Sequence, residues 1–199
     1  NKEEDVKTIG YAKHLSLMSA INYITLYLDK ILLFNFAGPA QLAIYYFVVL
    51  IPEQISAITG NINTLAVPKL ALKSREEIKA NMMKKVWKLA FLAGVIIISY
   101  IIIAPYFFKI FFPQYLNSIP YSQVFVLTLI SLPTSIIGVI FQAKMMKKEL
   151  YLSKITVHSA RIVLFAILIP IYGIWGIITA EIGVSVLSLF LTLFLFRKF

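Results

Sequence analysis

Along the chain, long apolar runs are separated by short polar ones, and the runs do not alternate. A hydrocarbon core about 30 Å thick needs roughly 20 mostly apolar helical residues to cross it. Six segments meet that requirement: about 11–35, 41–66, 89–108, 121–141, 155–172 and 174–196. Period-two alternation, the mark of a barrel strand, is absent. The breaks fall at turn-forming residues: Gly38-Pro39 after the first run, Pro68 after the second, and YGIWG between the fifth and sixth. The pattern predicts an all-α integral membrane protein, a single lobe of six transmembrane helices over residues 1–199. Its polar stretches 67–88 and 142–154 form loops on one side. The first of these, PKLALKSREEIKANMMKKVWK, is long enough for a short surface helix.

Composition agrees. Hydrophobic residues make up 60% and charged ones 14%, with a mean hydropathy of +0.85. Soluble domains average about 45–50% apolar even with glycine included. One of this size buries only about 70% of its unfolded surface, too little to hide such a chain. A soluble enzyme, a disulfide scaffold and a disordered tail are excluded, and with no cysteine there is no thiol chemistry.

The net charge of +10 changes the picture only through its placement. Of nineteen Lys and Arg, sixteen lie on one side of the predicted bundle: Lys2, Lys7 and Lys13, seven from Lys69 to Lys88, four from Lys144 to Lys154, and Arg197 and Lys198. Lys109 alone lies on the other side, and Lys30 and Arg161 fall inside helices. The positive-inside rule then puts both termini in the cytoplasm. The basic excess reads as topology, helped by anionic lipid headgroups, and not as nucleic-acid binding. The amino end NKEEDVK is polar, unlike a signal peptide. Because it begins with Asn and enters a helix almost at once, the chain reads as a fragment.

A charge at bilayer depth costs roughly 2.5–3.5 kcal/mol on insertion scales, so it normally faces a partner or water. The set is short: Asp29 and Lys30, Glu53, His158 and Arg161, and Glu181. Steps of three and four residues place all of these but Lys30 on a polar stripe. Asn22 and Thr25 precede Asp29, Ser56 and Asn63 follow Glu53, and helix four offers Thr128, Ser131 and Ser135. Helix three carries only Gly94 and Ser99 amid isoleucines and is expected to face lipid. Small polar residues such as Asn22, Thr25, Asn63, Ser131 and Ser135 serve equally well as helix–helix adhesion. Ionised groups are not needed for adhesion, and these are expected to line a substrate or ion pathway. Snorkelling to the interface is the competing account of Lys30, headgroup contact that of Arg161, and a local hydrogen bond that of His158.

Pro52 and Pro133 fall inside helices two and four, where each removes an amide donor and marks a hinge. Pro52 deprives the Val48 carbonyl of its usual partner, next to Glu53. No catalytic constellation is present: His14 and His158 sit in different helices, and HExxH, GxSxG and metal-ligand clusters are missing. The expectation is a protein that is not an enzyme and has no cofactor beyond a coupling proton or sodium ion.

The segments YLDKILLFNFAGPAQLAIYYFVVLIPEQI, LAVPKLA, FFPQYLNSIPYSQ and GIWGIITAEI carry a family resemblance. They resemble the second half of bacterial polysaccharide flippases of the O-antigen or teichoic-acid type. Those proteins belong to the multidrug/oligosaccharidyl-lipid/polysaccharide exporter superfamily, related to multidrug and toxin extrusion (MATE) transporters. The resemblance implies one six-helix, MATE-like lobe, with an amino-terminal lobe missing from this chain. It implies alternating-access translocation of a polyprenyl-diphosphate-linked glycan across the bacterial cytoplasmic (inner) membrane. It also matches Asp29 and Lys30 of LDK, Glu53 of IPEQ and Glu181 of WGIITAE to family-like sites. A drug/cation antiporter of the same superfamily and a membrane-bound glycan polymerase or transferase are the alternatives.

Overall fold

The computed structural model describes the backbone of residues 2–197 and the side chains of residues 16, 27–61 and 65–197. The described chain is helical, with no strand: α1 Lys2–Ala71, α2 Arg75–Phe111, a 3-10 turn Pro113–Ser118, α3 Ile119–Phe125, a 3-10 stretch Val126–Ser131, α4 Leu132–Ala143, α5 Lys147–Tyr172 and α6 Ile174–Arg197. Helices are what apolar runs must form in lipid, because no water is there to satisfy the backbone. Among the described residues five helical runs are long and apolar enough to cross a membrane: Tyr27–Ala71, Arg75–Phe111, Pro113–Ala143, Lys147–Tyr172 and Ile174–Arg197. Such a set is the mark of a multi-pass membrane protein.

The longest run is not straight. Asp29 and Tyr45 would lie about 24 Å apart along an unbroken helix, yet their side chains meet at 2.6 Å. Lys30 and Glu53 would be about 34 Å apart and approach to 3.8 Å. The chain doubles back at Gly38, whose φ of +83° is open to glycine at little cost. Pro39 then opens the second arm, where its missing amide is harmless.

The polar stretches are more helical than the sequence alone suggests. α1 continues through Pro68 to Ala71, and α2 starts at Arg75, so most of residues 67–88 is helix and only 72–74 turn. The start of α2 has a local cause. Ser74 caps it by accepting the Glu77 amide at 3.1 Å, and Glu77 pairs with Lys73 at 2.6 Å. Ile78, Met82 and Val86 recur every fourth residue and are buried, so this amphipathic start runs unbroken into the apolar span. Likewise α5 starts at Lys147, eight residues before the expected 155, and residues 142–154 shrink to a turn around Met145. The Lys144 ammonium donates to the Ala71 carbonyl at 3.0 Å and to that of Lys73, tying the two turns together.

The expected fourth helix, 121–141, is interrupted by the 3-10 stretch Val126–Ser131. Six residues is long for this form. Pro133 cannot donate to the Leu129 carbonyl, and the tighter winding brings the Leu132 amide there instead. Hydroxyls of Thr128, Ser131, Thr134 and Ser135 each donate to the carbonyl three residues back, at 2.6–2.9 Å, and reinforce the tight turn.

α5 and α6 pack closest: a Cβ on Gly176 would lie 2.2 Å from the Leu168 carbonyl oxygen. At the lysine-rich end Ile78, Met82, Phe141, Leu150 and Phe196 share one apolar cluster. Toward the opposite end Leu33, Tyr45, Phe165 and Ile177 share another. Phe47 stacks on Tyr115 at 3.8 Å and tilts against Phe112 at 5.0 Å there. The outer faces are apolar and exposed, Phe91, Ile98 and Ile102 on α2 and Ile167 and Ile171 on α5 among them. Ser99 is exposed on the same α2 surface.

Candidate functional site

A polar cavity of about 250 Å³ lies where both arms of α1 meet α3, the 3-10 stretch, α5 and α6. Asp29, Pro52, Glu53, Ser131, Arg161 and Glu181 all line it, so most of the charged groups singled out in the sequence converge on one space. Tyr45, Ser56, Phe125, Thr128 and Ser185 complete the wall. Lys30 lies behind Glu53, in a shallower groove with Tyr27 and Tyr46. Its ammonium sits 5.6 Å and 5.8 Å from the centres of those two rings.

Asp29 is the most enclosed of the carboxylates, 6% exposed. The Tyr45 hydroxyl donates to its Oδ2 at 2.6 Å, and Tyr45 is held edge-on against Phe125 at 6.3 Å. Oδ1 is buried with no hydrogen-bond partner among the described residues. Leaving a buried polar atom unmatched costs about 1–3 kcal/mol, more for a charged group. Arg161 reaches across from α5 to α6, donating from Nη2 to Glu181 Oε2 at 3.0 Å. Its Nε is likewise buried without a partner among the described residues.

The remaining expected residues fall elsewhere. Glu53 is half exposed at the cavity's edge, less enclosed than a mid-span position implies. His158 is buried one turn from Arg161 but does not line the cavity. Ser135 is half-buried, absent from the wall, and donates to the Leu132 carbonyl at 2.7 Å. Pro133 lines a separate apolar groove. The side chains of Asn22, Thr25 and Asn63 lie outside the described ones.

Pro52 has a clear physical consequence. The Val48 carbonyl it orphans accepts the Ser122 hydroxyl of α3 at 3.1 Å. Ser122 in turn pairs with the Tyr100 hydroxyl of α2, all three groups being buried. The proline's lost bond is thus replaced by one between helices, as membrane helices commonly do. Tyr100 and Ser122 escaped the sequence reading, as did Tyr45. Tyr45 stands two turns before Glu53 on the same face, so extending that stripe toward the amino end would have reached it.

Compared with known protein families, with curated proteins and with solved structures, the chain matches none.

Proposed function

We propose that this chain is one lobe of a membrane transporter that moves a lipid-linked oligosaccharide by alternating access, driven by a coupling cation. The observation that carries the reading is Asp29: a carboxylate 94% covered, lining a polar cavity inside an otherwise apolar bundle, with one oxygen unmatched among the described residues. Adhesion between helices needs no ionisable group there. A proton or cation taken up by such a group can shift a conformational equilibrium if its affinity differs between the two states.

The reading takes the two arms of α1 as separate crossings, six in all, where the described residues supply five candidate spans. The sixteen cations then share one side, which is the cytoplasmic side of a bacterial inner membrane under the positive-inside rule. The flippase branch and its diphosphate-linked glycan rest on the resemblance of the LDK, IPEQ and WGIITAE segments. Transport rather than bond-making is the activity assigned.

Reconstitution into liposomes tests this. The full-length protein should move a labelled lipid-linked glycan between leaflets faster under a proton gradient than without one. No movement under a proton or a sodium gradient would overturn the reading. The cavity wall carries three carboxylates and one guanidinium, and that acidic balance favours a second reading, a drug/cation antiporter. Export of small organic cations from the same liposomes, with no glycan movement, would establish it instead.

A further inference from the structure

The Pro133 groove is a different kind of space. It holds about 410 Å³ between α2, the 3-10/α4 region and α6. Its walls are apolar: Met83, Trp87, Ala90, Gly94 and Ile97 from α2, and Leu189 and Leu193 from α6 among them. From Met83 to Ile97 it extends about 21 Å along the helix, enough to follow an acyl chain through one leaflet of hydrocarbon, about 15 Å deep.

Both rails end on cations at the same end. Lys79 is one turn before Met83 on the same face of α2, and Arg197 is one turn beyond Leu193 on α6. The two ends are neighbours, because Ile78 and Met82 share a core cluster with Leu195 and Phe196. Lys84 lies one turn before the exposed Trp87. Glu76 is the acidic residue on that face, one turn further out than Lys79. Tryptophan beside lysine at a helix's interfacial end is where headgroups lie.

We propose that this groove is a site for an anionic phospholipid of the leaflet on the lysine-rich side. One acyl chain lies along Trp87, Ala90 and Gly94, and the phosphate sits between Lys79 and Arg197. The proposal rests on the membrane character of the chain and is independent of the cargo.

The test uses the full-length protein in nanodiscs containing phosphatidylglycerol or phosphatidylcholine with a photoreactive group in the acyl chain, followed by peptide mapping. Phosphatidylglycerol should label the 83–97 segment about tenfold more than phosphatidylcholine, the effect expected of one or two basic residues near an anionic headgroup. A Cβ at Gly94 meets nothing within 4 Å, and replacing a helical glycine favours the helix. Gly94→Phe and Gly94→Leu therefore fill the groove without disturbing packing, and both should cut labelling several-fold while thermal stability is kept. The pair Lys79→Gln with Arg197→Gln should bring the two lipids to equal labelling. Equal labelling in the parent protein, or labelling untouched by both Gly94 variants, would overturn the site.

Discussion

Two ion pairs flank the polar cavity, and they are built differently. Arg161 and Glu181 join α5 to α6 at 3.0 Å, their side chains 22% and 15% exposed. Lys30 and Glu53 face each other across the α1 hairpin at 3.8 Å, with Glu53 53% exposed. A close, enclosed pair cannot be opened cheaply, because the group left behind is a buried charge without a partner. The loose pair is less committed: Lys30 also faces the Tyr27 and Tyr46 rings, so it has other company when Glu53 changes. On the proposed reading, the α5–α6 pair holds these two helices together and the α1 pair is the one that can open during transport.

Breaking the tight pair should have the largest effect. Arg161→Met alone is expected to destabilise the folded protein by about 3–5 kcal/mol, measured by equilibrium unfolding in mixed micelles. Adding Glu181→Leu should restore most of that loss. A double variant as unstable as the single one would remove the pair's structural role. Next comes the Asp29 bond: Tyr45→Phe should cost about 1–2 kcal/mol in the same assay and lower coupled transport, since the carboxylate loses the Tyr45 hydroxyl. Ser122→Ala, which orphans the Val48 carbonyl again, should cost about 0.6 kcal/mol and at most about 1.7.

Glu53→Gln sharpens the comparison from the other side. Its stability should change by less than about 1 kcal/mol, because the carboxylate itself is 53% exposed and the enclosed Lys30 keeps its two tyrosine rings, while gradient-driven transport in liposomes is lost. Full transport by Glu53→Gln would place the switching group elsewhere. The smallest effect belongs to Ser99→Ala on the exposed face of α2, expected within about 0.5 kcal/mol of the parent and silent in transport.

The two internal prolines show how far a sequence can be followed. That Pro52 and Pro133 each leave a carbonyl unserved is legible from position alone. The repairs are not alike. Around Pro133 the chain repairs itself, winding into 3-10 geometry and using its own Thr and Ser hydroxyls. At Pro52 the repair comes from Ser122, 74 residues beyond the Val48 carbonyl it serves, and no local pattern announces it. Amphipathic periodicity beneath the lysines of α2 was equally present in the sequence, but their charge hid the continuity of the helix.

Membrane character and the apolar spans follow from the order of residues, because transfer into lipid is a property of each residue and adds along a segment. The few ionisable groups at depth stand out for the same reason. Which of them meet is another matter. Asp29 finds Tyr45 only because the chain reverses at Gly38, and Arg161 finds Glu181 only because α5 and α6 close to backbone contact at Gly176. His158 and Ser135 lie on the same polar stripes as Arg161 and Ser131, yet do not reach the cavity. Pairing depends on the rotation and depth of one helix against another, which arise from the packing of many side chains at once and are encoded in no single segment.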